Sequence, residues 1–413
     1  MKRILMVAYH FPPLAGSSGI QRTLRFVQHL PAFGWQPVVL TTQIRAYERT
    51  SDDLLADVPR DVSVRRAFAV DSTRHLSIGG RYFGWTARPD RWASWKFDGV
   101  RQGMRLIREF QPAAIWSTYP IATAHLIGAE LHRRSGLPWI ADFRDPMAQD
   151  GYPEDPRVWS SFKRIEENAA RNASLCVFTT PGAARHYREL YPRSAPRMVV
   201  VENGFDEESF GDANRAALSV GPRKPGPLVL LHSGIVYPSE RDPTYLFAAL
   251  RQLREDGRLS PHDLRVRFRA AVHDDLLRAL AADHNVGDFI ELCPTVPYRE
   301  ALAEMQSVDG LLILQASNCN EQIPAKIYEY LRAGRPILGL TDPSGDTASV
   351  LRGARLKSIA RLDSSAEIQA VLMAFIDAIR TCSADLPDPQ AVTLASRRGR
   401  AEQLANLIEG VIR

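Results

Sequence analysis

Short apolar runs recur along this chain, each followed by a segment of helical character, and no other feature constrains the fold as much. In the first half the runs are Ile4–Ala8, Val38–Leu40, Ala113–Trp116, Leu137–Ala141, Leu175–Phe178 and Met198–Val201. In the second they are Leu228–Leu231, Leu264–Ala271, Phe289–Leu292, Leu311–Leu314 and Ile337–Leu340. Strands that alternate with helices build parallel, doubly wound α/β sheets. The chain has 413 residues, too many for one ordinary core, so two such domains are expected. The stretch Gly221–Pro227, rich in Gly and Pro, reads as the linker between them. The expected division is a first domain over 1–215, a second over 216–390, and a last segment over 391–413. Within that segment Ala391–Ile412 reads as one long helix able to pack back on either domain.

The most informative unit lies between Leu311 and Leu340. A buried strand runs into a loop, Gln315–Ile323, and Pro324 suits the first turn of a helix, where no N–H is lost. The helix reads as Ala325–Ala333, with Gly334 as its stop and Pro336 beyond. One carboxylate, Glu321, lies in the loop and a second, Glu329, on the helix. Ligands of open α/β sheets sit beyond the carboxyl ends of the strands, where this loop belongs. Free N–H groups at the helix start, with Lys326 beside them, suit a phosphate. Lys326 and Glu329 are three residues apart, so they also suit a simple ion pair.

Composition narrows the function classes. Hydrophobic residues make up 45% and charged residues 24%, as in soluble globular proteins. The N-terminal apolar stretch is too short for a secretory signal, and no run approaches the roughly 20 residues of a membrane span. Cys176, Cys293, Cys319 and Cys382 are scattered and form no CxxC pair, which fits a reducing cytoplasm. Residues 1–210 hold 28 Lys and Arg against 22 Asp and Glu; the remainder holds 24 against 25. The basic excess of the first half points to an anionic partner. It is densest over residues 72–108, where Arg74, Arg81, Arg88, Arg91, Lys96, Arg101, Arg105 and Arg108 interleave with Tyr82, Phe83, Trp85, Trp92, Trp95 and Phe97. That mixture suits a membrane interface or a lipid-phosphate acceptor, and it equally suits an insertion packed onto its domain through the aromatics. No nucleic-acid recognition module accompanies it, so nucleic acid is not an expected partner.

Two strand ends in the first half carry further candidates. The loop after Ile4–Ala8 holds Gly16 and Gly19 before a helix from Ile20 to Leu30, which lets a ligand approach backbone and helix N-terminus. It is not the dinucleotide GxGxxG pattern. The strand Leu137–Ala141 runs into Asp142-Phe-Arg-Asp145-Pro146. Asp142, Arg144 and Asp145 stand where this architecture places catalytic groups, or else form a local pair that fixes the loop. His125, at the start of a helix, reads as structural.

Taken together these segments resemble the family-4 glycosyltransferases of the GT-B fold. The resemblance runs through nearly the whole chain: Phe11-Pro-Pro13 with Gly16 and Gly19, Asp142-Phe-Arg-Asp-Pro146 as in one bacterial branch, Glu202-Asn-Gly-Phe-Asp206, and Glu321 to Glu329 followed by Gly334-Arg-Pro336. It implies two Rossmann-like doubly wound domains facing across a cleft, the first binding acceptor and the second binding donor. It implies retaining transfer of a sugar from a nucleotide-sugar, with a UDP- or GDP-sugar as substrate and no cofactor. By position, Glu321 would meet the donor sugar, Glu329 the ribose, and Arg241 the diphosphate. Gly16, Gly19, Gly234, Ile323, Pro324 and Lys326 would line the donor, and Val296 the base. Asp142, Arg144 and Asp145 would contact the acceptor or the donor sugar. The chain contains no Asp-x-Asp, which accords with metal independence. It departs from the family at Ile235, where a second basic residue is usual, and at Arg144, where many members carry His.

The expected role is construction of a cell-surface polysaccharide or glycolipid on a glycan or polyprenyl-phosphate-linked acceptor, in the cytoplasm and peripherally on the inner membrane face. A sugar-nucleotide 2-epimerase of the same fold and an inactive scaffold are the alternatives.

Overall fold

The computed structural model describes residues 1–17, 19–77, 79–211 and 226–412. The chain divides into two compact units, Met1–Asn203 with Arg397–Arg413, and Gly204–Ser396. The 215/216 boundary, and the Gly221–Pro227 linker as far as Pro225, lie outside the described residues.

The first unit holds a seven-stranded sheet: β1 (Lys2–Val7), β2 (Trp35–Thr42), β3 (Ser63–Ala67), β4 (Ala114–Thr118), β5 (Trp139–Arg144), β6 (Leu175–Phe178) and β7 (Met198–Val200). The order is β3-β2-β1-β4-β5-β6-β7 and every pairing is parallel. The chain doubles back between β1 and β4, so the loops after these strands open onto one crevice at the carboxyl edge. Alternation along β1 serves both faces. Leu5 and Val7 join the core under the helices Trp95–Phe110, Thr123–Ser135 and Pro156–Asn172. Ile4 and Met6 face the helix Gly19–His29 and the last helix, Arg397–Ile412.

The sequence reads one helix from Ala391 to Ile412; the structure has two, Pro389–Ala395 and Arg397–Ile412, broken at the extended Ser396. The break separates a segment of the second unit from one of the first. Ala401, Leu404, Ala405 and Ile408 are buried with Leu24, Phe26 and Val27. β3 went unread because its sequence, Ser-Val-Arg-Arg-Ala, is a half-buried edge with two arginines.

The second unit holds β8 (Leu228–Ser233), β9 (Leu264–Arg269), β10 (Ile290–Cys293), β11 (Gly310–Gln315), β12 (Ile337–Thr341) and β13 (Ile359–Ala360). Their order is β10-β9-β8-β11-β12-β13, again with parallel pairings throughout. Here the reversal falls between β8 and β11. Leu312, Leu314, Leu338 and Leu340 pack on one face and Leu311, Ile313 and Ile337 on the other.

Residues 72–108 are not of one kind. Trp95 is fully buried, and Trp92 packs on Tyr9 at 4.4 Å between ring centroids while its Nε1 donates to Ala46 O. Asp90 accepts from Thr123 N and Oγ1 at 2.8 and 2.9 Å, which fastens the segment to the start of the Thr123–Ser135 helix. Phe83, Trp85 and Phe97 are instead 73%, 68% and 80% exposed. No helix among the described residues is long and apolar enough to cross a membrane.

Candidate functional site

In the second unit the candidate residues gather at the carboxyl edge of β8, β10 and β11. β8 ends at Ser233, whose N–H donates to Tyr330 Oη at 2.8 Å. Gly234 follows with φ 141°, a conformation closed to L side chains, and turns the chain into the loop that carries Arg241. Arg241 donates from Nη1 to Ile235 O at 2.8 Å and lies over the Tyr237 ring, while its sealed Nε meets no acceptor. The first cation candidate thus braces its own loop and keeps a donor unused. Ile235 supplies that bracing carbonyl.

The helix Lys326–Ala333 begins two residues later than Pro324, with Ala325 at its cap. Lys326 Nζ donates to Glu329 Oε2 at 2.6 Å, so the pairing alternative is realised. Tyr298 Oη donates to Glu329 Oε1 at 2.8 Å, and Lys326 lies over the Tyr298 ring. His232, at the end of β8, is buried and donates from Nδ1 to Leu312 O at 3.1 Å. Burial first, with Arg241 and Lys326 adding to it, pushes its pKa down to about 4. It is therefore neutral at pH 7 and leaves Arg241 and Lys326 as the cations of this neighbourhood.

Glu321 is exposed and makes no hydrogen bond or ion pair among the described residues. Its flanks are fixed. Asn320 Nδ2 donates to Asp342 Oδ2 at 2.7 Å, Asp346 N donates to Asn320 O at 2.8 Å, and Thr347 Oγ1 donates to Gln322 O at 3.1 Å. The turn after β12 thereby holds the backbone on both sides of a free carboxylate. Val296 and Ile323 are half-buried against the core of this face. A cavity of about 250 Å³ between Tyr245, Ser317 and Arg361 contains none of these residues. Of its carboxylates, Asp242 and Asp342 accept turn hydrogen bonds from Thr244 and Ser344, and Asp363 is the third.

In the first unit the sequence candidates separate. Asp142, expected to touch substrate, is fully buried, and both its oxygens are taken. Arg22 donates to Oδ2 and Oδ1 at 2.9 and 2.8 Å, and Thr118 Oγ1 donates to Oδ2 at 2.9 Å. Its partner is Arg22 from the Gly19–His29 helix, not the nearby Arg144. Asp145 is exposed at the loop, 3.3 Å from Thr179 Oγ1. Gly16 is at φ 79°, and Gly19 opens its helix.

Arg144 lies beyond an irregularity: Asp142 pairs with Val177, but Arg144, not Phe143, pairs with Phe178. Such a bulge re-aims the residue after it. Arg144 takes φ 64°, a left-handed conformation costing a non-glycine residue about 1–2 kcal/mol. Its carbonyl accepts Thr179 N and Oγ1 at 2.8 and 2.9 Å, which holds it there. Its guanidinium points at the start of the Gly19–His29 helix: a Cβ on Gly19 would stand 2.8 Å from Arg144 Nη1 and 2.3 Å from His10 Nδ1. Burial, and then Arg144, pushes the His10 pKa down to about 4. His125 is buried with Nδ1 2.8 Å from Ser117 Oγ, a structural histidine. His10, His232 and Tyr298 were not picked out from the sequence, because their relevance comes from neighbours on other strands.

Residues 18–204 match the family model of a glycosyl transferase 4-like domain. No curated protein matches the chain. Among solved structures, sucrose-phosphate synthase from Thermosynechococcus elongatus superposes with a TM-score of 0.62 at 13% identity, over 99% of each chain. Anabaena Alr3699/HepE in complex with UDP gives 0.58 at 14% identity, over 100% of this chain and 97% of that one. A putative UDP-N-acetylglucosamine 2-epimerase from Listeria monocytogenes gives 0.52 at 12% identity, over 99% and 96%. The fold of this chain is therefore the GT-B fold, with one Rossmann-like unit of seven strands and one of six.

Proposed function

We propose that this chain is a retaining, metal-independent glycosyltransferase that moves a sugar from a nucleotide-sugar to an acceptor held by the first unit. The observation that carries the reading is the gathering of Arg241, Lys326 and Glu329 around the start of one helix at the carboxyl edge of β8 and β11. A nucleoside diphosphate leaving group gains negative charge as the bond to the sugar breaks. Fixed cations and free helix N–H groups aimed at it stabilise that charge in the transition state. Lys326 and the unused Nε of Arg241 supply the cations. Glu329 offers two acceptor oxygens to the ribose hydroxyls once Tyr298 and Lys326 yield them. Ile323, Pro324 and Gly234 line the approach, and Val296 meets the base. Glu321, free in side chain and fixed in backbone, takes the donor sugar. No side chain is placed as a covalent nucleophile in this reading, and a donor phosphate oxygen serves as the base.

Exposed Phe83, Trp85 and Phe97, with Arg81, Lys96 and Arg105 unpaired among the described residues, support peripheral contact with an anionic membrane. A lipid-linked or glycan acceptor on the cytoplasmic face follows from that contact, and cell-surface polysaccharide or glycolipid synthesis from such an acceptor. Calorimetry with UDP and GDP, followed by product analysis of their sugars with a polyprenyl-phosphate-linked acceptor, tests the reading. Nucleotide binding with transfer to acceptor supports it. Release of an epimerised sugar nucleotide, or absence of nucleotide binding, overturns it.

A further inference from the structure

The first unit contains a half-buried cation, Arg144, on which the charges of Asp145 and Asp142 act only from beyond ion-pair distance. Asp142 and Arg22 form a closed buried pair, so neither is available to a neighbour. Arg144 stands beside that pair and makes no ion pair or side-chain hydrogen bond among the described residues, with its Nε sealed from solvent. Asp145 lies outside ion-pair reach and turns to Thr179 and solvent. A cation held partly out of water without an ion-pair partner is costly, and its cost falls when a counter-charge fills the site. Nη1 is aimed at the N-terminal turn of the Gly19–His29 helix, where Gly19 N and Ile20 N already donate to Ser17 and the positive end of the dipole remains. His10, held by Ser17 Oγ at 3.2 Å, borders the same space as a neutral hydrogen-bonding ring. The bulge and the left-handed backbone that re-aim Arg144 are strained features fastened by Thr179, and strain of this kind collects at ligand sites.

We propose that Arg144, His10 and the first turn of the Gly19–His29 helix form an oxyanion subsite that selects a substrate bearing a carboxylate or phosphate group. The planar guanidinium fork suits either anion, and the positive end of the helix dipole adds to its attraction. The inference rests on the glycosyltransferase reading for the origin of the anion, which is a uronate carboxylate on the transferred sugar or a phosphate on the acceptor. The leaving diphosphate is not the occupant, because Arg241 and Lys326 of the second unit serve it.

The test uses the full chain with inorganic phosphate and methyl glucuronide as probes, against sodium chloride at equal ionic strength and methyl glucoside. Dissociation constants come from chemical-shift titration, with UDP binding measured in parallel by calorimetry. Wild type binds at least one of the two anions in preference to its control. Arg144→Gln weakens that binding by about tenfold or more, the loss of a charge-assisted contact, and leaves UDP binding unchanged. Arg144→Lys retains part of it. Gly19→Ala, which puts a methyl against His10 and Arg144, weakens it with the charge intact. Retained UDP binding also reports that the two Arg144 variants are folded, and far-UV circular dichroism reports it for Gly19→Ala. Preference for phosphate assigns the acceptor as the source, and preference for glucuronide assigns the donor sugar. Equal anion binding by wild type and Arg144→Gln overturns the subsite, as does no anion binding at all. Loss of UDP affinity in step with anion affinity in Arg144→Gln also overturns it, since the occupant would then be the diphosphate. If UDP fails to bind wild type, the fault lies with the glycosyltransferase reading.

Discussion

Arg22 and Asp142 lie 120 residues apart in sequence and meet through two parallel hydrogen bonds of 2.9 and 2.8 Å, both side chains buried. Arg22 spends its other donors on Val201 O and Glu202 O at 2.9 and 3.2 Å, so the pair ties the first helix, β5 and the chain after β7 together. Removing one partner strands the other's charge. Asp142→Ala is expected to lower unfolding free energy by about 3–5 kcal/mol. The double replacement Arg22→Met with Asp142→Leu costs less than the sum of the two single changes. Urea unfolding measures both. An Asp142→Ala variant as stable as wild type would return this aspartate to the list of substrate contacts.

Glu329 is held by Tyr298 and Lys326, and its proposed ribose contact replaces those bonds. Glu329→Ala is expected to weaken UDP or GDP binding by about 10- to 100-fold, the worth of hydrogen bonds to a charged group. Tyr298→Phe should change affinity by less than about tenfold, because it removes a competitor of the ribose as well as a support. Calorimetry on both variants checks this, and unchanged binding in Glu329→Ala would sink the ribose assignment.

Two buried histidines, His125 and His232, and the half-buried His10 set an acid limit. Burial pushes His10, His125 and His232 down to about 4. The unfolded chain titrates these groups near 6.5, so between 6.5 and 4 it binds more protons than the folded chain. Stability is then fully present above 6.5 and lost as pH falls towards 4, at up to about 1.4 kcal/mol per pH unit for each group. Denaturant melts at pH 7, 6 and 5 measure the slope. His125→Asn, which removes one of the three groups, should flatten it; an unaltered slope in that variant would place the titration elsewhere.

Phe83, Trp85 and Phe97 sit among unpaired cations on the first unit. Phe83→Ser with Trp85→Ser is expected to lower affinity for anionic vesicles by about 10- to 100-fold, from the loss of about 1.5–3 kcal/mol of apolar burial. Raising salt weakens wild-type binding as well, because the attraction is partly screened. Co-sedimentation with phosphatidylglycerol vesicles measures both effects. Binding indifferent to salt and to the rings would remove the membrane from this surface.

The alternation of apolar runs and helices made the two parallel sheets legible, because strands buried on both faces are written as continuous hydrophobic stretches. β3 was illegible for the opposite reason: Arg65 and Arg66 stand in an edge strand that is only half buried. The unit around Glu321 and Glu329 was legible because its parts are local, within one strand, loop and helix. Asp142 was misread as a substrate contact because its true partner, Arg22, arrives from a distant helix that no local pattern announces. For the same reason the sequence could put Arg144 at a strand's end without showing that a bulge turns it towards Gly19.

The second unit begins and ends within one hydrogen bond, Phe205 N to Ala395 O at 3.2 Å, and the last helix then returns to the first unit. On the ribosome this sets an order of completion. The second unit has all its residues when Ser396 emerges, whereas the first, begun earlier, still lacks the helix whose Ala401, Leu404, Ala405 and Ile408 complete one face of its core. Its cover, Arg397–Ile412, is made after the second unit. The older half of the chain thus matures after the younger one. A chain stopped at residue 396 would release a finished second unit joined to a first unit with part of one face uncovered, prone to association with other copies.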